Sequence, residues 1–350
     1  MEIGIYTFGE LGPNTSHSKR TRQLVEEMAL ADQVGLDVFG VGEHHRPDFV
    51  VSSPATALAA IAAQTSRIRL SSAVTVLSSD DPVRVFQQFA HVDLISGGRA
   101  EIMAGRGSFI ESFPLFGYEL DDYDELFAEK LELLLAIRDS KRVTWHGKHR
   151  APLEDVAVWP RPIQDPLPIW VAVGGTPQSV VRAAMLGLPL TLAIIGGETA
   201  RFQEFSDLYR RVWAEAGHEG EPRIAISTHA FVADSDQAAD AAFGGTYLEL
   251  MNRIGRERGW PPSGRADYEA LKSPRGPLAV GSPEQVAEKI VSVHDLFQPE
   301  RYLAHMSIGA VSHRDVMRAI ELLGAEVATL VAAELHGRRP AETAPALRSD

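Results

Sequence analysis

Cysteine is absent from all 350 residues, which removes disulfides, thiolate catalysis, zinc fingers and iron–sulfur ligation in one step. No run of ~18 apolar residues occurs, so no segment reads as a membrane-crossing helix. Positive charge is the scarcer sign: 34 lysines and arginines stand against 47 aspartates and glutamates, a formal net charge of −13. Such a surface repels phosphate on average, which argues against a nucleic-acid or anionic-membrane partner. The opening MEIGIYTFGELGPN has no basic stretch and no apolar core of the signal-peptide kind, so the expectation is a soluble, cytoplasmic protein. Core material is plentiful. With 45% hydrophobic and 23% charged residues, wholesale disorder is excluded.

Short apolar runs alternate with segments of helical period along most of the chain. The runs lie at 3–8, 38–41, 68–76, 100–104, 168–173, 188–195, 224–232 and 302–308. Several, such as PIWVAV and TLAII, are almost continuously apolar, as parallel strands covered on both faces must be. Between them, segments such as 19–35, 53–65 and 82–96 carry helix patterns; Ser53 reads as an N-cap, and Pro54 and Pro82 as first helical residues. Eight β-α repeats predict an α/β fold, a single (β/α)₈ TIM barrel over 1–335, followed by a disordered tail at 336–350. Two spacings are too long for the repeat and predict insertions after strand 4 and strand 7. The second contains the polar, Pro/Gly-rich segment 256–280, expected to be a loop covering the active site.

In such barrels the chemistry sits at the C-terminal ends of the strands. After strand 2 comes EHHRPD, residues 43–48, where Glu43, His44, His45 and Arg46 crowd one strand end. Catalysis or ligand contact, a satisfied structural network, and metal binding all fit the residue types. Adjacent histidines point apart, and no His-x-His pair follows strand 1, so metal is the weakest of the three. Strand 4 runs into AGRGSF, where Arg106 offers a planar cation suited to phosphate. Strand 5 ends GGTPQSV, with Gly174, Gly175, Thr176 and Ser179 opening a helix. That turn reads either as a phosphate cradle or as an ordinary turn capped by Thr176. Arg106 on the same rim tips the balance towards a phosphorylated ligand.

EHH at 43–45, AVTVLSSDDPVR at 73–84, LISGGRAEIMAGRG at 94–107 and GGT-x-x-S at 174–179 occur in one order and spacing. With them the chain resembles the bacterial-luciferase-like family of flavin-dependent monooxygenases over about residues 1–325. The resemblance implies a non-prolyl cis peptide at Ala73–Val74 behind the flavin ring, and a flavin phosphate held by Arg106, Gly174, Gly175, Thr176 and Ser179. His44 matches the histidine near the reactive edge of the ring, with Glu43 as its neighbour; these are the candidate catalytic residues. His45 is expected at most to orient His44. The implied activity uses reduced FMN as co-substrate, supplied by a separate flavin reductase, and O₂ to oxygenate a small, apolar organic substrate. Phe8, Phe49 and the loop 108–116 are expected to wall its pocket, and a homodimer is implied. The alternatives are hydride transfer by a reduced deazaflavin and a non-catalytic flavin-binding protein. The chain departs from luciferase in having Gly175 where an acid stands and Gly105 where a cysteine stands, which puts light emission and a long-chain aldehyde substrate in doubt.

Overall fold

Eight parallel strands close on themselves in chain order: β1 (Glu2–Thr7), β2 (Val38–Val41), β3 (Arg69–Ser72), β4 (Ala100–Gly105), β5 (Ile169–Val173), β6 (Leu190–Ile194), β7 (Ile224–Val232) and β8 (Arg301–His305). β8 pairs back onto β1 with Glu2 beside Arg301 and Tyr6 beside His305. The computed structural model describes residues 1–107, 109–309 and 311–337. The last helix ends at Gly337, and the rest of the expected tail lies outside the described residues.

Alternation along each strand sorts the side chains into two layers. Ile3 and Ile5 point outward into the apolar layer beneath the helices. Tyr6 points inward and packs with Val38, Met103, Trp170, Ala225 and Leu303 inside the barrel. Below that inner layer, Arg301 is fully buried and forms a two-point pair with Glu101, at 2.7 and 3.2 Å, over the ring of Trp170. The helix between β3 and β4, Pro82–Ser96, starts as its sequence demands. Pro82 is the first residue, and the Asp81 carboxylate accepts the amides of Val83 and Arg84. Ser53 does not cap its helix; its hydroxyl meets that of Thr56 instead.

Two expectations change. The run 68–76 is not one strand: β3 stops at Ser72, the Ala73–Val74 peptide is cis, and Thr75–Val76 resumes pairing against β4. The segment 256–280 is only partly loop. It carries a helix, Arg265–Lys272, and a short strand, Ala279–Gly281, beside β7. Tyr268 is fully buried there, and Asp240 collects Arg265, Tyr268 and Lys272. Residues 256–267 are continuously exposed, and of these 259–264 lie between the two helices, outside regular structure. Trypsin should therefore make its first cut within 1–337 after Arg256 or Arg258, and bound cofactor should slow it, since Arg258 borders the cavity described below. Mass spectrometry of early fragments reads this; a first cut after Arg265 or Lys272 would count against it.

Candidate active site

At the C-terminal end of the barrel lies a cavity of ≈ 370 Å³. Tyr6, Met103 and Leu303 of the inner layer reach into it, and the cis segment 73–74 forms part of its wall. Gly105 makes that wall possible. A Cβ there would stand 2.7 Å from Val74 Cγ2 and 3.0 Å from Val74 Cβ, so any side chain would displace Val74. This glycine is thus fixed by packing against Val74.

Of the residues singled out from sequence, Glu43, His44, Ala73, Val74, Arg106, Gly174 and Thr176 line this one cavity. Gly175 and Ser179 do not line it. Gly175 turns the chain at φ 115°, a conformation that disfavours any other residue, and buried Ser179 donates its amide to the Thr176 carbonyl at 3.0 Å. Phe8 lines the cavity as expected, while Phe49 packs behind it against the His44 ring, centroids 4.4 Å apart. The segment 108–116 is not all loop, since Ser112–Phe116 is helical, and its described residues do not line the cavity; Phe109 meets the same imidazole edge-on at 5.0 Å, and Ser108 lies outside the described residues.

The histidine pair divides its work. His45 Nε2 is 2.8 Å from one oxygen of Glu43, whose other oxygen accepts the Val76 amide at 2.9 Å. Glu43 therefore clamps the end of β2 to the segment after β3, and its hydrogen bond raises the pKa of His45. His45 turns towards Glu43 and does not orient His44. His44 has a different neighbour, Glu111, whose carboxylate lies 3.8 Å from Nδ1 and also accepts the His45 amide at 3.4 Å. Burial pushes the Glu111 carboxyl up, but the His44 and backbone donors outweigh this and hold it below its ordinary value. The remaining nitrogen of His44, Nε2, is buried without a partner. A buried polar atom left this way costs about 1–3 kcal/mol unless something fills its place, and His44 lines the cavity from which a ligand atom can reach it.

Arg106 forms the other functional cluster. Its guanidinium donates to the Asp124 carboxylate and, at 3.3 Å, to Thr176 Oγ1, and lies 5.0 Å from the centre of the Tyr123 ring. Thr176 occupies the N-cap position of the helix Pro177–Met185, yet its hydroxyl makes no capping bond. The plain-cap reading of Thr176 is thereby removed. Among the polar residues that line the cavity, Tyr123, Thr191 and Ser227 were not singled out in the sequence, and Arg258 was in view only as part of 256–280. The Thr191 hydroxyl is buried without a partner, a second position where a polar ligand atom fits. Glu111 was in view only as one letter of an apolar loop.

Comparison with known proteins gives a consistent picture. A family model described as luciferase-like monooxygenase matches residues 1–298. The oxygenase component of the flavin-dependent trigonelline monooxygenase of Acinetobacter baylyi is 25% identical over 336 residues, 88% of this chain and 83% of that protein. The F420-dependent glucose-6-phosphate dehydrogenase of Amycolatopsis mediterranei is 33% identical over 167 residues, 44% of this chain and 48% of that protein. Among solved structures, the oxygenating constituent of 3,6-diketocamphane monooxygenase from Pseudomonas putida, in complex with FMN, superposes with a TM-score of 0.80 at 21% identity, covering 94% of this chain and 98% of that one. The last agreement is one of fold.

Proposed function

The chain belongs to the luciferase-like monooxygenase family and is an oxidoreductase, and from that premise we propose that its cavity takes reduced FMN, delivered by a separate flavin reductase, and oxygenates a small apolar substrate with O₂. The observation that carries this reading is the buried, partnerless Nε2 of His44 in the same cavity as Arg106 and the uncapped hydroxyl of Thr176. Bound there, reduced flavin supplies the activation of dioxygen, for which side chains have no equivalent. Arg106, Thr176 and the amides of the 174–176 turn would hold the phosphate. Val74, supported by Gly105, would back the ring. Phe8, Phe49 and Phe109 exclude water around His44. His44 holds or releases a proton at Nε2, with Glu111 setting its orientation, while Glu43 acts as the clamp beneath it.

Removing the guanidinium tests the phosphate assignment. Arg106→Ala should weaken FMN binding by about 1.5–3 kcal/mol, the scale of a hydrogen bond to a charged group. Riboflavin, which lacks the phosphate, should bind parent and variant alike. Equal FMN affinity in both proteins would refute the assignment.

Hydride transfer by a reduced deazaflavin is the second reading. The pairing of Glu111 with His44 favours it, because a carboxylate-oriented imidazole would give the proton that a substrate carbonyl oxygen needs as it is reduced, with no oxygen required. Substrate turnover under strict anaerobiosis separates the two. A homodimer through the early barrel helices belongs to the same proposal, and the exposed Leu94 and Ile95 on the helix Pro82–Ser96 support it.

A further inference from the structure

We propose, resting on the flavin reading above, that Arg258 anchors the substrate, and that the substrate is an apolar organic acid whose carboxylate pairs with this guanidinium while its apolar body lies towards His44.

Among the described residues, the carboxylates and guanidiniums that line the cavity belong to Glu43, Arg106 and Arg258. Glu43 is occupied by His45 and the Val76 amide. Arg106 is held by Asp124 and Thr176 and faces the flavin phosphate in the reading above. Arg258 is the charge that the flavin leaves over.

Arg258 is the last residue of the helix Gly245–Arg258, and Gly259, at φ 70°, turns the chain away. The helix dipole favours a cation in a last turn whatever else it does, and Arg256 stands there too. Of the two, Arg258 alone lines the cavity. It is not needed to fasten this helix end. Arg46 donates to both oxygens of Glu257, each at 2.8 Å, and Arg253 reaches Asp48 at 2.8 Å. Those pairs tie the helix end to the strand-end motif that carries His44. They station the Arg258 guanidinium 5.2 Å from the centre of the Phe109 ring and 5.1 Å from that of Trp260. Phe109 in turn meets the His44 imidazole edge-on at 5.0 Å, so one aromatic ring links the cation to the histidine. Aromatic rings cover the flat faces of a guanidinium and leave the N–H groups in its plane, where a carboxylate accepts two of them. Phe8 and the His44 ring line the cavity as well and suit an apolar body. A phosphate ester would bring a second negative charge, which a single guanidinium leaves unpaired.

Calorimetric titration of the FMN-loaded protein with matched acid and amide pairs tests this: benzoate with benzamide, phenylacetate with phenylacetamide, and octanoate with octanamide. Each pair differs in charge and scarcely in size. In at least one pair the parent should bind the acid about 10-fold or more tighter than the amide, the scale of a hydrogen-bonded charge. Arg258→Met, which keeps a long side chain beside the rings, should lose that preference while its affinities for the amides, FMN and riboflavin stay as in the parent. Arg258→Lys should keep part of the preference, because the charge remains and the planar fork is lost. Arg258 is exposed, so its replacement leaves the core intact. The proposal is overturned by a parent without acid preference in any pair, or by a preference that survives in Arg258→Met. It is equally overturned if Arg258→Met loses affinity for FMN and not for riboflavin, since the arginine then serves the flavin phosphate. The same titrations on protein without FMN separate the two readings. A parent that binds no FMN loses the flavin reading, and the acid preference of parent over Arg258→Met still decides the role of Arg258.

Discussion

Replacing His44 with alanine is expected to lower substrate oxygenation by about 10²–10⁴-fold while FMN affinity stays within a few-fold of the parent, the range for loss of a general acid or base. The split follows from where the residue stands. Its ring is held on three sides by Phe8, Phe49 and Phe109, Glu111 lies by Nδ1, and only Nε2 is left for a ligand. The Arg106 cluster is formed by other elements, the end of β4, the turn after β5 and the helix that starts at Tyr123, so it should survive the change. Product formation on a panel of small ketones, thioethers and aldehydes, with reduced FMN supplied by an external reductase, reads the effect. Glu111→Gln should fall between parent and His44→Ala, because it keeps the shape and removes the charge beside Nδ1. A His44→Ala protein that oxygenates substrate as fast as its parent would make the histidine structural.

The second large effect lies at the other end of the barrel. Glu101→Ala should cost about 3–5 kcal/mol of stability, because it strands Arg301 as a buried charge held only through Glu2. A fall in Tm on the order of 5 °C is the corresponding reading. The double variant Glu101→Leu with Arg301→Met should lose much less, since no buried charge is then left unpaired. Arg69, which now also reaches Glu101 at 3.0 Å, already stands 4.0 Å from Glu2 and can turn to it. Thermal unfolding of the two variants side by side decides this. A single variant as stable as the parent, or a double variant worse than the single, would show that the pair is not what holds the barrel floor.

The barrel was legible because its signal is local. Eight apolar runs separated by helical segments each needed a neighbour on both sides, and only closure provides that for β1 and β8. The strand-end motifs were legible for a related reason: polar clusters such as EHHR and GGT interrupt apolar runs where the fold places its cavity. What stayed hidden depends on distant contacts. Glu101 reads as one polar letter in AEIMA until Arg301, 200 residues away, is placed beside it. Glu111 sits among phenylalanines and gains meaning only when His44 arrives from β2. Asp124 looks like part of a solvated helix face until its helix brings it to Arg106. The helix Arg265–Lys272 was missed because it buries little more than Tyr268, and a pattern with one fully buried aromatic is indistinguishable from a polar loop.

The account turns on which reduced cofactor the cavity prefers, and anaerobic titration measures that directly. Protein is titrated in parallel with reduced FMN, reduced riboflavin and reduced F420, and oxygenated buffer is then admitted to each complex. Tighter binding of reduced FMN than of the other two is predicted, with riboflavin weakened by about the 1.5–3 kcal/mol assigned to Arg106. Re-oxidation of the bound FMN in oxygenated buffer should also follow a time course different from that of free FMN, because the site shields the ring from water. Tight binding of reduced F420 with weak binding of reduced FMN would contradict the account and leave hydride transfer as the function.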